Sequence, residues 1–405
     1  MFRRPSFVHS LLLMSGVCLY LFNTPGHAQQ PSLMDRLDVN KDGVLTLEEF
    51  PPAFQESFPA FDLNQDGKIT MEEGQKVLRQ QQARRKQMEA KQTEEQKTAE
   101  QPGRNRRQQP AQRGRANLRN IELIENLDYI GDGNRRQMLD LLLPEERATE
   151  DPLPVIVFIH GGGWQGGNKE SAHGRLSTYV RSGHYAAASF GYRLTNETHW
   201  PSQLHDCQAA LRWLKAHAKK YNLDADKIGI MGASAGGHLV ALLGTSQDAP
   251  ELTGKLGPYI DQSVTVQCVV DFCGPANFVP FVEGIIKSGR PSTPDNALTK
   301  FFGGPIEEKM DVAKEASPQT YITAADPPIM IVHGTKDHLV PFDQSVQFHA
   351  ALKDAGIETY LITNEGGGHG NAVTPELQEM LTNFFDKHLR GKEVQLESKT
   401  FQVSN

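Results

Sequence analysis

Four short segments constrain this 405-residue chain more than any other feature: His160-Gly161-Gly162-Gly163, Gly232-Ala233-Ser234-Ala235-Gly236, Asp337 and His369. A glycine loop, a glycine-flanked serine, an acid and a histidine follow one another in that order. Positions so far apart in sequence can meet only on a scaffold that gathers its loops. An open α/β sheet does this, because its parallel strands deliver the loops that follow them to one edge. A Gly-x-Ser-x-Gly on its own is a weak signal. Here the order of all four segments and the pattern around each carry the reading.

Lys227-Ile228-Gly229-Ile230-Met231-Gly232 is a short apolar run of buried-strand length, and Gly236-Gly237-His238-Leu239-Val240-Ala241-Leu242-Leu243 starts an apolar helix. The serine between them sits on a sharp turn. Small residues at 232, 233, 235 and 236 let the chain turn tightly there. The helix N-terminus that follows favours developing negative charge. A serine hydroxyl is a poor nucleophile at neutral pH, so it needs a base held by an acid. Pro328-Ile329-Met330-Ile331-Val332 predicts a strand ending just before Asp337. Thr359-Tyr360-Leu361-Ile362-Thr363 predicts another, running into Gly366-Gly367-Gly368-His369-Gly370. Ser234, Asp337 and His369 are therefore the expected nucleophile, acid and base. His333 and His338 are rival bases, less well placed because they flank the acid itself.

Leu153-Pro154-Val155-Ile156-Val157-Phe158-Ile159 predicts a strand that ends at His160-Gly161-Gly162-Gly163-Trp164. Consecutive glycines let backbone approach a substrate with no Cβ in the way. The N–H groups of Gly162, Gly163 and Ala235 are the expected oxyanion donors. Trp164 either walls a substrate pocket or packs as an ordinary core residue.

At this point the chain resembles a known family. Residues 120–390 are similar to the lipase/esterase branch of the α/β-hydrolases related to hormone-sensitive lipase, and look closest to secreted bacterial esterases of the acetyl-xylan and feruloyl type. The resemblance rests on His160-Gly-Gly-Gly-Trp164-Gln-Gly-Gly-Asn168-Lys169, Gly191-Tyr192-Arg193-Leu194, Gly232-Ala-Ser-Ala-Gly-Gly-His238-Leu239 and His333-Gly-Thr-Lys-Asp337. Ala233 stands where hormone-sensitive-lipase relatives commonly have Asp, which draws the reading toward the polysaccharide esterases. The resemblance implies ester hydrolysis through an acyl-enzyme, with no cofactor for catalysis. The implied substrates are small esters or acylated polysaccharide carrying short groups such as acetyl or feruloyl. An amide-cleaving serine hydrolase, peptidase or formamidase, is one alternative. A calcium-dependent binding protein with an inactive hydrolase domain is another.

Near the other end, Asp38-Val-Asn40-Lys-Asp42-Gly43-Val44-Leu-Thr46-Leu-Glu-Glu49 fits an EF-hand calcium loop, and Asp62-Leu-Asn64-Gln-Asp66-Gly67-Lys68-Ile-Thr70-Met-Glu-Glu73 repeats it. Calcium takes six to eight oxygens. Asp38, Asn40, Asp42 and Glu49 supply side chains in the first loop, with the Val44 carbonyl and a water held by Thr46. Asp62, Asn64, Asp66, Glu73, the Lys68 carbonyl and Thr70 do the same in the second. Leu45 and Ile69 suit a short strand pairing between the loops. Pro51, Pro52 and Pro59 keep the intervening helices short. A structural or docking role fits better than a calcium sensor, since nothing identifies a target for an opening groove.

Residues 1–28 are expected to be a signal peptide: Arg3 and Arg4 precede an apolar run from Phe7 to Phe22 and the small-residue site Gly26-His27-Ala28. The expected location is periplasmic or secreted, with an uncleaved membrane anchor as the alternative. Cys18 would leave with the signal; Cys207, Cys268 and Cys273 are expected to be unpaired and mostly buried. The calcium loops occupy 29–78, a basic Gln/Arg-rich linker 79–117, the catalytic domain 118–391 and a tail 392–405. Residues 79–119 hold twelve basic and four acidic side chains, a net of +8, within a chain of net −7. The linker reads as disordered. It is a tether, or with the EF-hands a contact to an anionic surface or scaffold. Nucleic-acid binding is not expected, and the oligomeric state is left open. The fold class is α/β, an α/β-hydrolase fold with a mostly parallel sheet covered by helices on both faces, preceded by a small α-helical EF-hand pair. Residues 276–315 carry no strand pattern and are expected to form a cap-like insertion near the site.

Overall fold

The computed structural model describes residues 40–49, 58, 61–70, 72, 73, 76, 118–289, 291–370 and 373–402. The expected signal peptide, the 79–117 linker and Asp38 lie outside the described residues. The chain divides into two units, residues 1–107 and 108–405, taken separately below.

In the first unit, β1 (Val44–Thr46) and β2 (Lys68–Thr70) pair antiparallel. Leu45 faces Ile69 in the register, and both are fully buried. This is the expected pairing of the two loops. Phe58 and Phe61 are buried as well. The helices expected to flank the loops fall largely outside the described residues.

The second unit opens with β3 (Ile121–Asp128), β4 (Met138–Pro144) and β5 (Leu153–Ile159), then α1 (His173–Val180), β6 (Ala186–Phe190) and α2 (Ser202–Ala216). Strand β7 (Leu223–Ala233) leads directly into α3 (Ala235–Thr245), and β8 (Cys268–Phe272) follows. The expected insertion then supplies α4 (Val279–Ser288), α5 (Ala297–Phe302) and α6 (Met310–Glu315), without a strand among its described residues. The chain closes with β9 (Ile329–Gly334), α7 (Asp343–Asp354), β10 (Thr359–Glu365), α8 (Pro375–Arg390) and β11 (Lys399–Gln402).

The nine strands lie in the order β11-β10-β9-β8-β7-β5-β6-β4-β3. Only β4 runs against its described neighbours; every pair from β6 to β11 is parallel. Alternation along the strands splits the core in two. Val155, Val157, Ile228, Ile230, Val269, Ile329 and Ile331 pack on one face with Leu211 and Leu214 of α2, Leu239 and Leu242 of α3, and Phe348 and Leu352 of α7. Ile156, Phe158, Met231, Val270, Met330 and Val332 pack on the other with Leu176 and Tyr179 of α1 and Leu381, Phe384 and Phe385 of α8. Both faces being buried explains the continuously apolar strands.

The 392–405 tail carries a strand: Lys399–Gln402 pairs parallel along β10, with Asn364 paired to Phe401. Four residues of which three are polar left too little apolar pattern to find it.

Candidate active site

Four parallel strands end at the predicted segments. β5 delivers His160, β7 delivers Ser234, β9 delivers Asp337 and β10 delivers His369. Parallel alignment puts these ends along one edge of the sheet.

Ser234 has φ 56° and ψ −118°, a left-handed backbone that costs a non-glycine residue energy. Two hydrogen bonds hold it: Ser234 N–H donates to Phe272 O at 2.7 Å, and Ser234 O accepts from His238 N–H at 2.9 Å. This is the expected strained turn between strand and helix. The glycine loop lies directly on it. A Cβ at Gly161 would meet Ala233 O at 2.5 Å and the Ser234 Cβ at 3.3 Å, so only glycine permits this approach. Gly162 has φ +118°, a conformation L side chains rarely adopt. Among the described residues the N–H groups of Gly162, Gly163 and Ala235 donate to no acceptor. Those of the loop are thus available beside the nucleophile, and that of Ala235 is the first of its helix.

His369 Nδ1 lies 2.6 Å from Asp337 Oδ2. The other oxygen, Oδ1, accepts from Leu339 N–H at 2.8 Å and Val340 N–H at 3.0 Å. Burial opposes ionisation of this carboxyl, but the hydrogen bonds from Val340, His369 and Leu339 outweigh it and hold Asp337 below the ordinary carboxylate range. The rival histidines take other places. His338 is exposed. His333 is fully buried; its Nε2 lies 3.0 Å from Asp337 Oδ2 and from Val340 O, and its Nδ1 lies 2.6 Å from Ser345 Oγ. It is held behind Asp337, a position the sequence did not suggest.

The Ser234 hydroxyl makes no hydrogen bond among the described residues. Cys273 shows that the two halves nonetheless adjoin. Its sulfur, an Asp337 carboxylate oxygen and a His369 ring nitrogen lie within 4.8 Å of one another. Burial pushes this thiol up to about 12, against backbone N–H groups of Gly370 and Ser234 directed at it. The histidine loop and the nucleophile turn therefore reach the same sulfur. Cys207, Cys268 and Cys273 are all free and buried, as expected.

Trp164 resolves as packing with a purpose. It stacks on Phe301 of α5 at 4.1 Å between centroids and contacts Phe278 and His238 edge-on. Ala297 of the same helix lies close to Gly163, its Cβ 3.7 Å from where a Gly163 Cβ would be. The 276–315 segment thus leans on the glycine loop through Phe301 and Ala297. Behind the loop, Tyr192 stacks on His160 at 4.3 Å and donates to His160 O at 2.9 Å. Next to it Arg193 pairs with the buried Asp206 at 2.8 Å. The motif around 191–194 is therefore a brace for the loop.

In the first unit, the predicted loop residues curl around their own backbone. Asp62 Oδ2 accepts from Gly67 N–H at 2.8 Å, Asn64 Oδ1 from Asp66 N–H at 2.9 Å, and Asp66 Oδ1 from Lys68 N–H at 2.9 Å. Glu73 reaches back to Thr70 N–H at 2.9 Å and to Leu63 N–H at 3.2 Å. In the other loop Asp42 caps Val44 at 3.1 Å and Glu49 caps Thr46 at 3.1 Å. Oxygen donors of hard character thus converge on each loop, a donor set that fits calcium.

The geometry defines a serine-hydrolase site on an α/β-hydrolase fold. A BD-FAE family model matches residues 139–352, and the chain belongs to that family. An EF hand model matches residues 32–50 and 54–78. Esterase LipC of Mycobacterium tuberculosis is 28% identical over 62% of this chain and 61% of its own length. Esterase LipQ of the same organism is 30% identical over 56% of this chain and 52% of its own length. The chain thus spans between 52% and 61% of these curated relatives. A solved structure, a truncated form of a carbohydrate esterase from gut microbiota, superposes with a TM-score of 0.61 at 29% identity, covering 66% of this chain and 96% of that one.

Proposed function

We propose that the protein is an exported serine carboxylesterase that removes short acyl groups such as acetyl from polysaccharide. The observation that carries the reading is the Asp337–His369 pair at 2.6 Å beside a strained Ser234 with Gly161 packed against it. His369 takes the Ser234 proton as the oxygen attacks the ester carbonyl. The oxyanion forms against the amides of Gly162, Gly163 and Ala235, where one such donor is typically worth about 2.7–4 kcal/mol. His369 then protonates the leaving alcohol. Water, deprotonated by His369, cleaves the acyl-enzyme and returns the serine. Asp337 fixes the histidine tautomer and stabilises the imidazolium throughout. Short acyl groups suit a site whose neighbourhood is filled by Trp164, Phe278 and Phe301, all buried.

The EF-hand unit binds calcium for structure or docking, through Asp38, Asn40, Asp42, Val44, Thr46 and Glu49 and through Asp62, Asn64, Asp66, Lys68, Thr70 and Glu73. The sequence features of residues 1–28 support export, where calcium is plentiful, and the basic linker offers a contact to an anionic surface or scaffold. Hydrolysis of p-nitrophenyl acetate by the full chain, beside Ser234→Ala, tests the catalytic reading. Turnover that vanishes in the variant supports it, and equal traces from both proteins would refute it.

A further inference from the structure

Alternate residues of β9 face α7: Ile329 and Ile331 pack there with Phe348 and Leu352. The next in that series is His333, which is fully buried. A ring so buried needs a partner for each nitrogen. His333 has both. Its Nε2 lies 3.0 Å from Asp337 Oδ2 and 3.0 Å from Val340 O, and its Nδ1 lies 2.6 Å from Ser345 Oγ of α7. Phe342 meets the ring edge-on, 5.7 Å between centroids.

These partners fix where the proton sits. The two oxygens facing Nε2, a carboxylate and a carbonyl, can only accept, so Nε2 carries the hydrogen. Ser345 can donate, and its hydroxyl meets the lone pair on Nδ1. Burial holds His333 below the ordinary histidine range, in keeping with a neutral ring. Asp337 is then surrounded by donors. Oδ1 accepts from the Leu339 and Val340 N–H groups, and Oδ2 accepts from His333 and His369. The titratable groups facing this carboxylate are His333 from β9, His369 from the loop after β10 and the Cys273 thiol from the turn after β8.

A carboxylate oxygen that already accepts one hydrogen bond is a weaker base toward a second donor. Without His333, Oδ2 would turn its whole charge on the His369 Nδ1–H, favour the imidazolium and hold its proton to higher pH. We propose that His333 is a positioning residue for the reaction: by donating Nε2–H to the oxygen that holds His369, it fixes that oxygen and keeps the base free of its extra proton to lower pH than Asp337 alone would. Calling His369 the base rests on the esterase reading; the sharing of the carboxylate oxygen does not.

The test is nuclear magnetic resonance of the full chain carrying isotopically labelled histidine, wild type beside His333→Leu and His333→Gln, with His369→Gln to assign the second ring. In the wild type the His333 ring is expected to carry its proton on Nε2. In His333→Leu the pH midpoint of the His369 ring signals is expected to rise by about half a pH unit or more. His333→Gln, whose amide can donate from nearly the same place, is expected to keep the wild-type midpoint. The acid limb of kcat/KM for p-nitrophenyl acetate should move in step with the ring, KM being little changed. A protein without turnover whose rings behave in this way would refute the esterase reading and still support the shared hydrogen bond. A wild-type His333 with its proton on Nδ1 would overturn the proposal, and that result needs no variant to fold. A His369 midpoint in folded His333→Leu at or below that of the wild type would overturn it too.

Discussion

His369 Nδ1 and Asp337 Oδ2 are 2.6 Å apart, and that same oxygen is shared with the buried His333 at 3.0 Å. The acid therefore orients two imidazoles at once, one exposed enough to work and one sealed. Asp337→Asn replaces a double acceptor with a group that must present a donor to one of its neighbours. It is expected to lower kcat about 10⁴-fold with little change in KM, as steady-state kinetics would show. His333→Gln is expected to cost far less, because His369 keeps its carboxylate.

Because folding lowers the Asp337 pKa, the stability this group contributes is present above the unfolded carboxylate value and is lost as pH falls through the folded one. Thermal melts of wild type and Asp337→Asn should accordingly differ at neutral pH and converge in acid.

Asp271 behaves in the opposite sense. Burial pushes its carboxyl up to about 7; Oδ1 accepts from Gly274 N–H at 2.8 Å, and Oδ2 has no partner. The folded state keeps a proton that the unfolded chain releases. Stability from this group is then present in acid and is lost as pH rises from about 4 to about 7. Asp271→Asn, neutral at every pH, should melt above the wild type at pH 8, with the gap closing toward pH 4.

Gly161→Ala places a methyl 2.5 Å from Ala233 O and 3.3 Å from Ser234 Cβ. Backbone cannot give way there without moving the oxyanion donors. A loss of about 10²–10³ in kcat is expected, comparable to removing one donor.

Phe301 is fully buried and stacks on Trp164 at 4.1 Å. Phe301→Ala is expected to cost about 3–5 kcal/mol in denaturant titrations. The space it opens beside the oxyanion loop should raise the ratio of butyrate to acetate hydrolysis. An unchanged ratio in a folded variant would separate this cluster from acyl selection.

Most of the catalytic domain was legible because its signals are local. An apolar strand followed by Gly-Ala-Ser-Ala-Gly states the turn on which Ser234 sits, and the strands before Asp337 and His369 state which edge they occupy. What stayed hidden depends on packing between distant segments. Histidine at 333 reads as a rival base until its burial against Ser345 and Val340 is seen. The Trp164 environment depends on Phe301, far along the chain, and no periodicity links them. Lys399–Gln402 is too short and polar to announce a strand. In the EF-hand unit the pairing of Leu45 with Ile69 was legible, because the two loops repeat one pattern that puts an apolar residue at the same place in each.

The most direct measurement of the central claim is intact-mass and peptide analysis of the full chain after reaction with a p-nitrophenyl phosphonate ester. The account predicts one phosphonyl adduct per chain, located on Ser234, with turnover falling in step with labelling and no adduct in Ser234→Ala. An adduct elsewhere, or full turnover from a fully labelled Ser234, would contradict it.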